Sequence, residues 1–144
     1  MRALGVVILG FIMLIIAICL MPEAANAAQG TAIYYDPPYI RVLTIKIHST
    51  ASACYGRQNL GVMVAGASDQ IWGNRAACGK NYRVTCIGGA NLAPHPCKSG
   101  NVVVKIVDHC PSPGCNGTIN LSRDAFSKIA DLKAGKVKIE YTPA

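Results

Sequence analysis

The stretch VVVKIVDHCPSPGCNGTINLSRDAFSKIA, residues 102–130, contains the features on which the rest of the fold depends. It begins with a β-branched, apolar run that is typical of a strand with much of both faces buried. Asp108 ends that run, and a loop with two cysteines, two prolines and two glycines follows. Ser122 is the expected N-cap of a helix over residues 123–130. The sequence thus predicts an ionisable side chain, Asp108, at the end of a rigid strand.

The N-terminal segment has the pattern of a secretory signal. Residues 3–21 form an uninterrupted apolar run behind Arg2, and the small-residue pattern Ala25-Asn26-Ala27 predicts cleavage after Ala27. The alternative is a membrane anchor, because the run is about long enough to span a bilayer. Removing residues 1–27 takes away one Arg and one Glu, so residues 28–144 keep the net charge of +7. We expect these residues to form one domain without stable membrane insertion.

Six cysteines remain after the predicted cleavage, at positions 54, 78, 86, 97, 110 and 115. An even count in a secreted chain indicates disulfides, and of the fifteen possible pairings the sequential one is the simplest. The alternative is a zinc site that uses His95 or His109. No paired short cysteine spacing matches a zinc finger, and the expected compartment is oxidising. We therefore expect neither a metal nor a cofactor.

The net charge of +7 favours attraction to acidic surfaces such as polyanionic glycans or membrane headgroups. The basic residues are scattered along the chain, so solubility explains the charge equally well. Nucleic acid is excluded as a partner by the predicted export. A small domain held by disulfides needs no partner to fold, and we expect a monomer.

Short strands are predicted around the opening stretch. Residues 30–35, 82–87 and 136–141 alternate between apolar and polar side chains, and Gly135 ends the helical region. Several short strands, one short helix and three disulfides favour a closed β-barrel over a sandwich or a parallel sheet.

Six segments carry a family resemblance: GTAIYY (30–35), SACYG (52–56), AACGKNYRVTC (76–86), VVVKIVDHCP (102–111), INLSRDAFSKIA (119–130) and AGKVKIEY (134–141). In this order they resemble the plant natriuretic peptide-like proteins, which are similar to the first domain of expansins and to the family 45 endoglucanases. The resemblance implies an all-β fold over residues 28–144, a six-stranded double-psi β-barrel with one or two short helices and three disulfides. It also implies a ring closed by Cys54 and Cys78, reminiscent of a peptide hormone loop, and no second, sugar-binding domain.

The resemblance further implies two positions for catalytic carboxyl groups. In the family 45 pattern one carboxyl protonates the leaving oxygen and the other activates water. Asp108 matches the Asp that ends the barrel strand in expansins and their relatives, but Asn120 stands where the pattern Asp-Leu-Ser has the acid. An amide cannot act as a general acid at neutral pH, so we expect no catalytic residue and no hydrolysis. Asp108 would then accept hydrogen bonds either from a bound glycan or from backbone N–H groups of the following turn.

Other residues are candidates for ligand contacts or modification. Tyr34, Tyr35, Tyr55 and Trp72 are possible stacking surfaces for sugars; the alternative is that these aromatics belong to the core. Asp108 and Asn120 are the other candidates for ligand contacts. The sequences Asn116-Gly117-Thr118 and Asn120-Leu121-Ser122 are both N-glycosylation acceptors. We expect Asn116 to be used, because Asn120 lies where a strand enters the barrel.

One segment departs from the family pattern. Residues 40–51 intervene where the pattern passes almost directly from the Pro-Pro-Tyr turn to SACYG. They represent either a lineage-specific hairpin beside the cleft or an artefact of gene prediction. We expect a surface insertion that leaves the core intact.

The resemblance implies a secreted, non-catalytic protein of the apoplast or cell wall. It would signal water and ion balance or stress through a cell-surface receptor. The alternative is an expansin-like protein that binds cell-wall polysaccharide without hydrolysing it. A residual hydrolase is disfavoured by Asn120.

Overall fold

A computed structural model describes residues 27–37, 39 and 51–144. The predicted signal and the predicted insertion lie outside the described residues, except for Ala27 and Ala51. The described elements are β1 (Ala28–Tyr35), β2 (Val64–Ser68), α1 (Asp69–Trp72), β3 (Asn81–Gly89), β4 (Val102–Cys110), β5 (Ile119–Ser122), α2 (Arg123–Ile129), a 3₁₀ turn (Leu132–Ala134) and β6 (Lys136–Pro143). Neither helix within these ranges has the length and apolar character needed to cross a membrane.

The six strands close into a barrel in the order β1-β5-β2-β4-β3-β6. The pairs β1–β5 and β2–β4 are parallel, and the other four pairs are antiparallel. Parallel partners cannot be joined by a tight hairpin, so the chain crosses the barrel between them. The predicted all-β, double-psi β-barrel is confirmed.

Alternate residues of each strand fill the barrel interior, as the period of two requires. The fully buried side chains include Val104 and Ile106 of β4, Ile119 and Leu121 of β5, and Val137 and Ile139 of β6. Phe126 and Ile129 of α2 are also fully buried and pack in the same cluster. Because the odd-numbered residues of β5 point inward, Asn120 lies on the outer face.

Three disulfides join Cys54 to Cys78, Cys86 to Cys97 and Cys110 to Cys115, which is the sequential pairing. The first of them anchors the turn over residues 52–56. The backbone N–H of Cys54 also donates to the carbonyl of Val107 over 3.0 Å. This turn is therefore held against the C-terminal half of β4.

The strand β4 is longer than the sequence predicts. It passes through Asp108 and continues to Cys110, where His109 and Cys110 pair with Ala67 and Ser68 of the parallel strand β2. The cysteine and prolines of this region indicate a loop, but backbone hydrogen bonds from a distant strand extend the ladder. Asp108 is consequently held within a strand and not at its end.

Candidate functional site

A row of three residues crosses the outer face of the barrel. On the central strand of this region, Gly66 pairs with Asp108 of β4 on one side and with Asn120 of β5 on the other. Since neighbouring strands are about 4.8 Å apart, the Cα atoms of Asp108 and Asn120 are separated by about 10 Å. Gly66 places no side chain between them. We call Asp108, Gly66 and Asn120 the polar row.

A β-bulge gives Asp108 its outward direction. Ala65 pairs with Ile106, whereas the next residue of β2, Gly66, pairs with Asp108. Val107 is therefore an extra residue on β4, and it shifts the alternation of inward and outward side chains by one position. In a regular strand, residues two apart point to the same face. Without the bulge, Asp108 would therefore point inward, as Ile106 does.

The carboxylate of Asp108 is fixed by backbone donors. Its Oδ1 accepts hydrogen bonds from the N–H of Ala53 over 2.8 Å and from the N–H of His109 over 2.9 Å. Ala53 belongs to the turn anchored by the Cys54–Cys78 disulfide. The carboxylate is half-buried, so it is oriented by the protein while part of it still meets solvent.

Two polar atoms beside Asp108 have no partner among the described residues. The phenol oxygen of Tyr35 and Oδ1 of Asn120 are both buried without a hydrogen bond. Burial is the main cause of the raised pKa of Tyr35, and the charge of Asp108 and the neighbouring Tyr39 add to it. The phenol therefore keeps its proton and remains a donor. Buried polar groups without partners are costly, and they are explained when a ligand or water supplies the missing bonds.

The other tyrosines proposed from the sequence have protein contacts elsewhere. The hydroxyl of Tyr34 donates to the carbonyl of Leu132 over 3.3 Å, and its ring lies 4.9 Å from that of Phe126. The hydroxyl of Tyr55 lies so close to Gly79 that a Cβ at that glycine would be 2.5 Å away. The structure thus brings Asp108, Asn120 and Tyr35 together and leaves Tyr34 and Tyr55 outside this group.

Next to the polar row is a cluster that the sequence did not reveal. Nε2 of His109 lies 2.7 Å from Oδ1 of Asp69, and the His109 ring is stacked on Trp72 at 4.4 Å with an interplanar angle of 7°. Oδ2 of Asp69 accepts from the N–H of Ser112 over 3.0 Å. The Ser112 N–H and then His109 lower the pKa of Asp69. The spacing of Asp69 and Trp72 on one helical turn was the only signal for this cluster in the sequence.

The two candidate glycosylation residues differ in their surroundings. Asn116 is exposed in the loop before β5, whereas Asn120 lies on that strand. A cavity of about 300 Å³ separates the loop from α1, with Ser68, Asp69, Ser112, Asn116 and Thr118 in its wall. Across the described ranges, no three His, Cys, Asp or Glu side chains come together in a way that could hold a metal ion.

Comparison with known proteins finds a family profile and several full-length relatives. The sequence profile of the lytic transglycolase family matches residues 64–141. An EG45-like domain containing protein of Citrus jambhiri is 52% identical over 129 residues, which cover 89% of this chain and 90% of that protein. EG45-like domain containing protein 2 of Arabidopsis thaliana is 46% identical over 132 residues, which cover 92% of each chain.

Solved structures of a bacterial expansin share the fold. The apo expansin of Clavibacter michiganensis superposes with a TM-score of 0.60 at 24% identity. A mutant of that expansin in complex with cellohexaose gives a TM-score of 0.56 at 26% identity. Each comparison covers 83% of this chain and 50% of the expansin, so this chain spans about half of the expansin's length.

Proposed function

Because this chain belongs to the family of EG45-like domain proteins and carries an expansin-like domain, we propose that it binds cell-wall polysaccharide without hydrolysing it. The proposed place of action is the apoplast, which the chain reaches after cleavage of the signal over residues 1–27. The three disulfides are compatible with that oxidising compartment. We propose that it acts as a monomer.

The pair of unpartnered polar atoms beside Asp108 is the observation that carries this proposal. Among the described residues, the Tyr35 phenol is a donor without an acceptor, and Oδ1 of Asn120 is an acceptor without a donor. A sugar hydroxyl both donates and accepts, so neighbouring hydroxyls of one glycan satisfy both atoms. Asp108 accepts a further hydroxyl proton from the same ligand. Sites of this kind use a few oriented polar groups to fix a ligand.

The chemistry of the side chain at position 120, and not its distance from Asp108, argues against hydrolysis. The separation of about 10 Å between the Cα atoms of Asp108 and Asn120 is compatible with the roughly 6.5–9.5 Å between carboxyl groups of inverting glycosidases. The second group is nevertheless an amide, which has no proton to give to the leaving oxygen at neutral pH. Asp108 alone can orient a sugar, but without a second carboxyl group the catalytic acid–base pair is incomplete.

The expansin comparison supports a β-linked glucan as the ligand. A mutant of the Clavibacter michiganensis expansin is known in complex with cellohexaose. This chain shares the fold of the portion that it covers, and its polar row lies on the outer face of the barrel, where Asp108 is partly exposed. A linear polysaccharide can therefore lie across the row without entering the core.

The test is co-sedimentation of the secreted protein with insoluble cell-wall glucan, with sugar release measured in the same tubes. We expect saturable binding that Tyr35→Phe weakens about tenfold, because the loss of one bond to a buried group costs about 1–2 kcal/mol. Tyr34→Phe is the matched control, since the Tyr34 hydroxyl binds Leu132 and not the polar row. Equal binding by the two variants, or reducing sugar released by the wild-type protein, would contradict the proposal.

A second candidate function is signalling of water and ion balance or stress through a cell-surface receptor. It is favoured by the ring that the Cys54–Cys78 disulfide closes, where the apolar side chain of Val62 is 48% exposed. In this candidate function the ring is the receptor-binding surface and Val62 is its apolar contact. The test is water uptake by plant protoplasts treated with the wild-type protein or with Val62→Asp. Leu92, which is exposed outside the ring, provides the control variant Leu92→Asp, and an equal response to both variants would remove this candidate.

A further inference from the structure

Two N-glycosylation acceptors lie four residues apart in this chain, Asn116-Gly117-Thr118 and Asn120-Leu121-Ser122. The acceptor sequence alone does not distinguish them. Their surroundings in the fold do, because one lies in a surface loop and the other within a barrel strand.

Asn120 is unsuitable as a carrier of a glycan. It lies on β5, with Ile33 of β1 paired on one side and Gly66 of β2 on the other. Its Oδ1 has no contact with solvent. The third residue of this acceptor, Ser122, is fully buried, donates to the carbonyl of Val62 and accepts from the N–H of Ala125. A glycan on Asn120 would project from the polar row itself, between Asp108 and the paired strand β1.

Asn116 has the opposite surroundings. It is exposed, and within the described part of the chain its side chain makes one hydrogen bond, in which Oδ1 accepts from Nζ of Lys136 over 3.2 Å. The loop on which it lies is fixed at both ends, since Cys115 is bonded to Cys110 and the N–H of Thr118 donates to the carbonyl of Thr31 over 2.8 Å. A sugar attached to the amide nitrogen leaves Oδ1 available to Lys136. The modification therefore breaks no contact that the fold needs.

From this contrast we infer that Asn116 is the N-glycosylated residue of this protein and that Asn120 is unmodified. The donor is a lipid-linked oligosaccharide. A bond forms between the amide nitrogen of Asn116 and the anomeric carbon of the oligosaccharide. The bond from that carbon to the carrier's phosphate oxygen breaks, and the amide nitrogen releases one proton. The inference rests on the proposed export, because the donor is met only in the secretory pathway.

The glycan would stand on the rim of the cavity of about 300 Å³ in front of α1. This cavity follows the polar row along the same outer face, since Ser68 is two residues beyond Gly66 on β2. Asn116 is itself not a member of the polar row. Modification at Asn116 is thus compatible with the proposed binding of polysaccharide, whereas modification at Asn120 is not.

The experiment expresses the full chain in plant cells and collects it from the medium. The protein is treated with a peptide N-glycosidase that accepts plant glycans, in water labelled with ¹⁸O, and the peptide over residues 115–122 is analysed by mass spectrometry. Enzymatic release converts the modified Asn to Asp and incorporates one ¹⁸O. Spontaneous deamidation of the Asn116-Gly117 pair before treatment incorporates ordinary oxygen, so the two reactions are distinguished.

We expect the label at residue 116 alone, a single glycan on the wild-type protein, its loss in Asn116→Gln and its retention in Asn120→Gln. A label at residue 120, or secreted protein without any glycan, would overturn the inference while leaving the proposed export intact. Protein retained in the cell without a glycan would overturn both. Secretion is measured separately by immunoblot of the medium.

Discussion

The side chain at position 120 can accept a hydrogen bond from a ligand, but as an amide it cannot act as a general acid. An Asn and an Asp have nearly the same shape, but only the carboxyl can carry a transferable proton. In this chain the amide places a buried acceptor, Oδ1, across Gly66 from Asp108. The substitution Asn120→Asp therefore tests how strongly this buried environment disfavours a negative charge.

We expect Asn120→Asp to destabilise the protein at neutral pH and not in acid. Burial and the nearby Asp108 both disfavour the charged form, so the pKa of the new carboxyl is raised in the folded state. Stability is then unaffected below the unfolded pKa, about 3.9, and is lost as pH rises through the raised folded value. The measurement is the thermal midpoint, compared with that of the wild type from pH 3.5 to pH 8.

The control for this pH dependence is Asn116→Asp, which introduces the same carboxyl at an exposed position. Its thermal midpoint should follow that of the wild type at every pH. A difference between Asn120→Asp and wild type that stays constant with pH would show that residue 120 is solvated in solution.

Asp69 gives a second, opposite pH dependence. Its pKa is lowered from 3.8 by the N–H of Ser112 and by His109. The contact with Ser112 is therefore present above pH 3.8 and is lost as pH falls through the lower folded value. We expect a higher hydrogen-exchange protection factor for the Ser112 amide at pH 5 than at pH 2.5. Asp69→Asn should abolish this pH dependence, and a Ser112 amide that stays equally protected at both pH values in the wild type would contradict the prediction.

The sequence predicts some of these residues and not their arrangement. Asp108 and Asn120 are recognisable from the family motif, whereas Tyr35 was predicted only as a possible stacking surface. Their proximity depends on Gly66, which nothing in the local pattern marks, and on a bulge opposite Ala65. Register between strands that lie dozens of residues apart is set by packing, so a local pattern cannot supply it.

Among the elements, the transition from β5 to α2 depends on one serine. The Oγ of Ser122 accepts from the N–H of Ala125 over 3.0 Å and donates to the carbonyl of Val62 over 2.5 Å. We expect Ser122→Ala to lower the free energy of unfolding by about 2–3 kcal/mol, because it removes an N-cap and leaves a carbonyl without its donor. The measurement is urea unfolding followed by circular dichroism.

Ser127 provides the control at the other end of α2. Its Oγ donates to the carbonyl of Asp124, one turn earlier, at an exposed position. Ser127→Ala should change the free energy of unfolding by about 0.5 kcal/mol or less. Equal effects of the two substitutions would mean that Ser122 has no particular role in the junction.

The prediction of the elements failed where tertiary contacts override local signals. The helix after Ser122 is confirmed, with the serine as its cap. The extension of β4 to Cys110 was missed, because cysteine and proline locally indicate a loop. The four residues of β5 are too few for a periodic pattern, and they form a strand only because β1 and β2 lie on either side.

For the molecule as a whole, the disulfides differ in the length of chain that they close. Cys54 and Cys78 are 24 residues apart, and Cys110 and Cys115 are five apart. In the chain-entropy account, the longer loop stabilises by about 3.5 kcal/mol and the shorter by about 2 kcal/mol. We expect replacement of Cys54 and Cys78 by Ala to lower the urea midpoint more than replacement of Cys110 and Cys115.

The comparison of the two double variants is made at constant pH and protein concentration, with the wild type alongside. The larger decrease in the urea midpoint expected without the Cys54–Cys78 disulfide also reflects the turn over residues 52–56, in which the N–H of Ala53 donates to Asp108. If the shorter disulfide proved the more stabilising, the chain-entropy account would be wrong for this barrel.

The class of the fold was predictable from the sequence, while the order of its strands was not. Short alternating strands and an even number of cysteines indicate a closed barrel. The arrangement β1-β5-β2-β4-β3-β6 interleaves early and late strands. No local pattern specifies which strand lies beside which, and the family resemblance supplied the type of barrel but not a strand order.

The pairing of β1 with β6 determines where a label can be attached to this protein and how its chain can be circularly permuted. Ala28 lies opposite Tyr141, so the outer ends of these strands are neighbours. Tyr35 is seven residues along β1, or about 23 Å, from Ala28. A dye or solid support fixed beyond either strand end would thus lie far from Tyr35. A short linker between the two ends would also permit circular permutation, with new termini opened in the surface loop around Leu92.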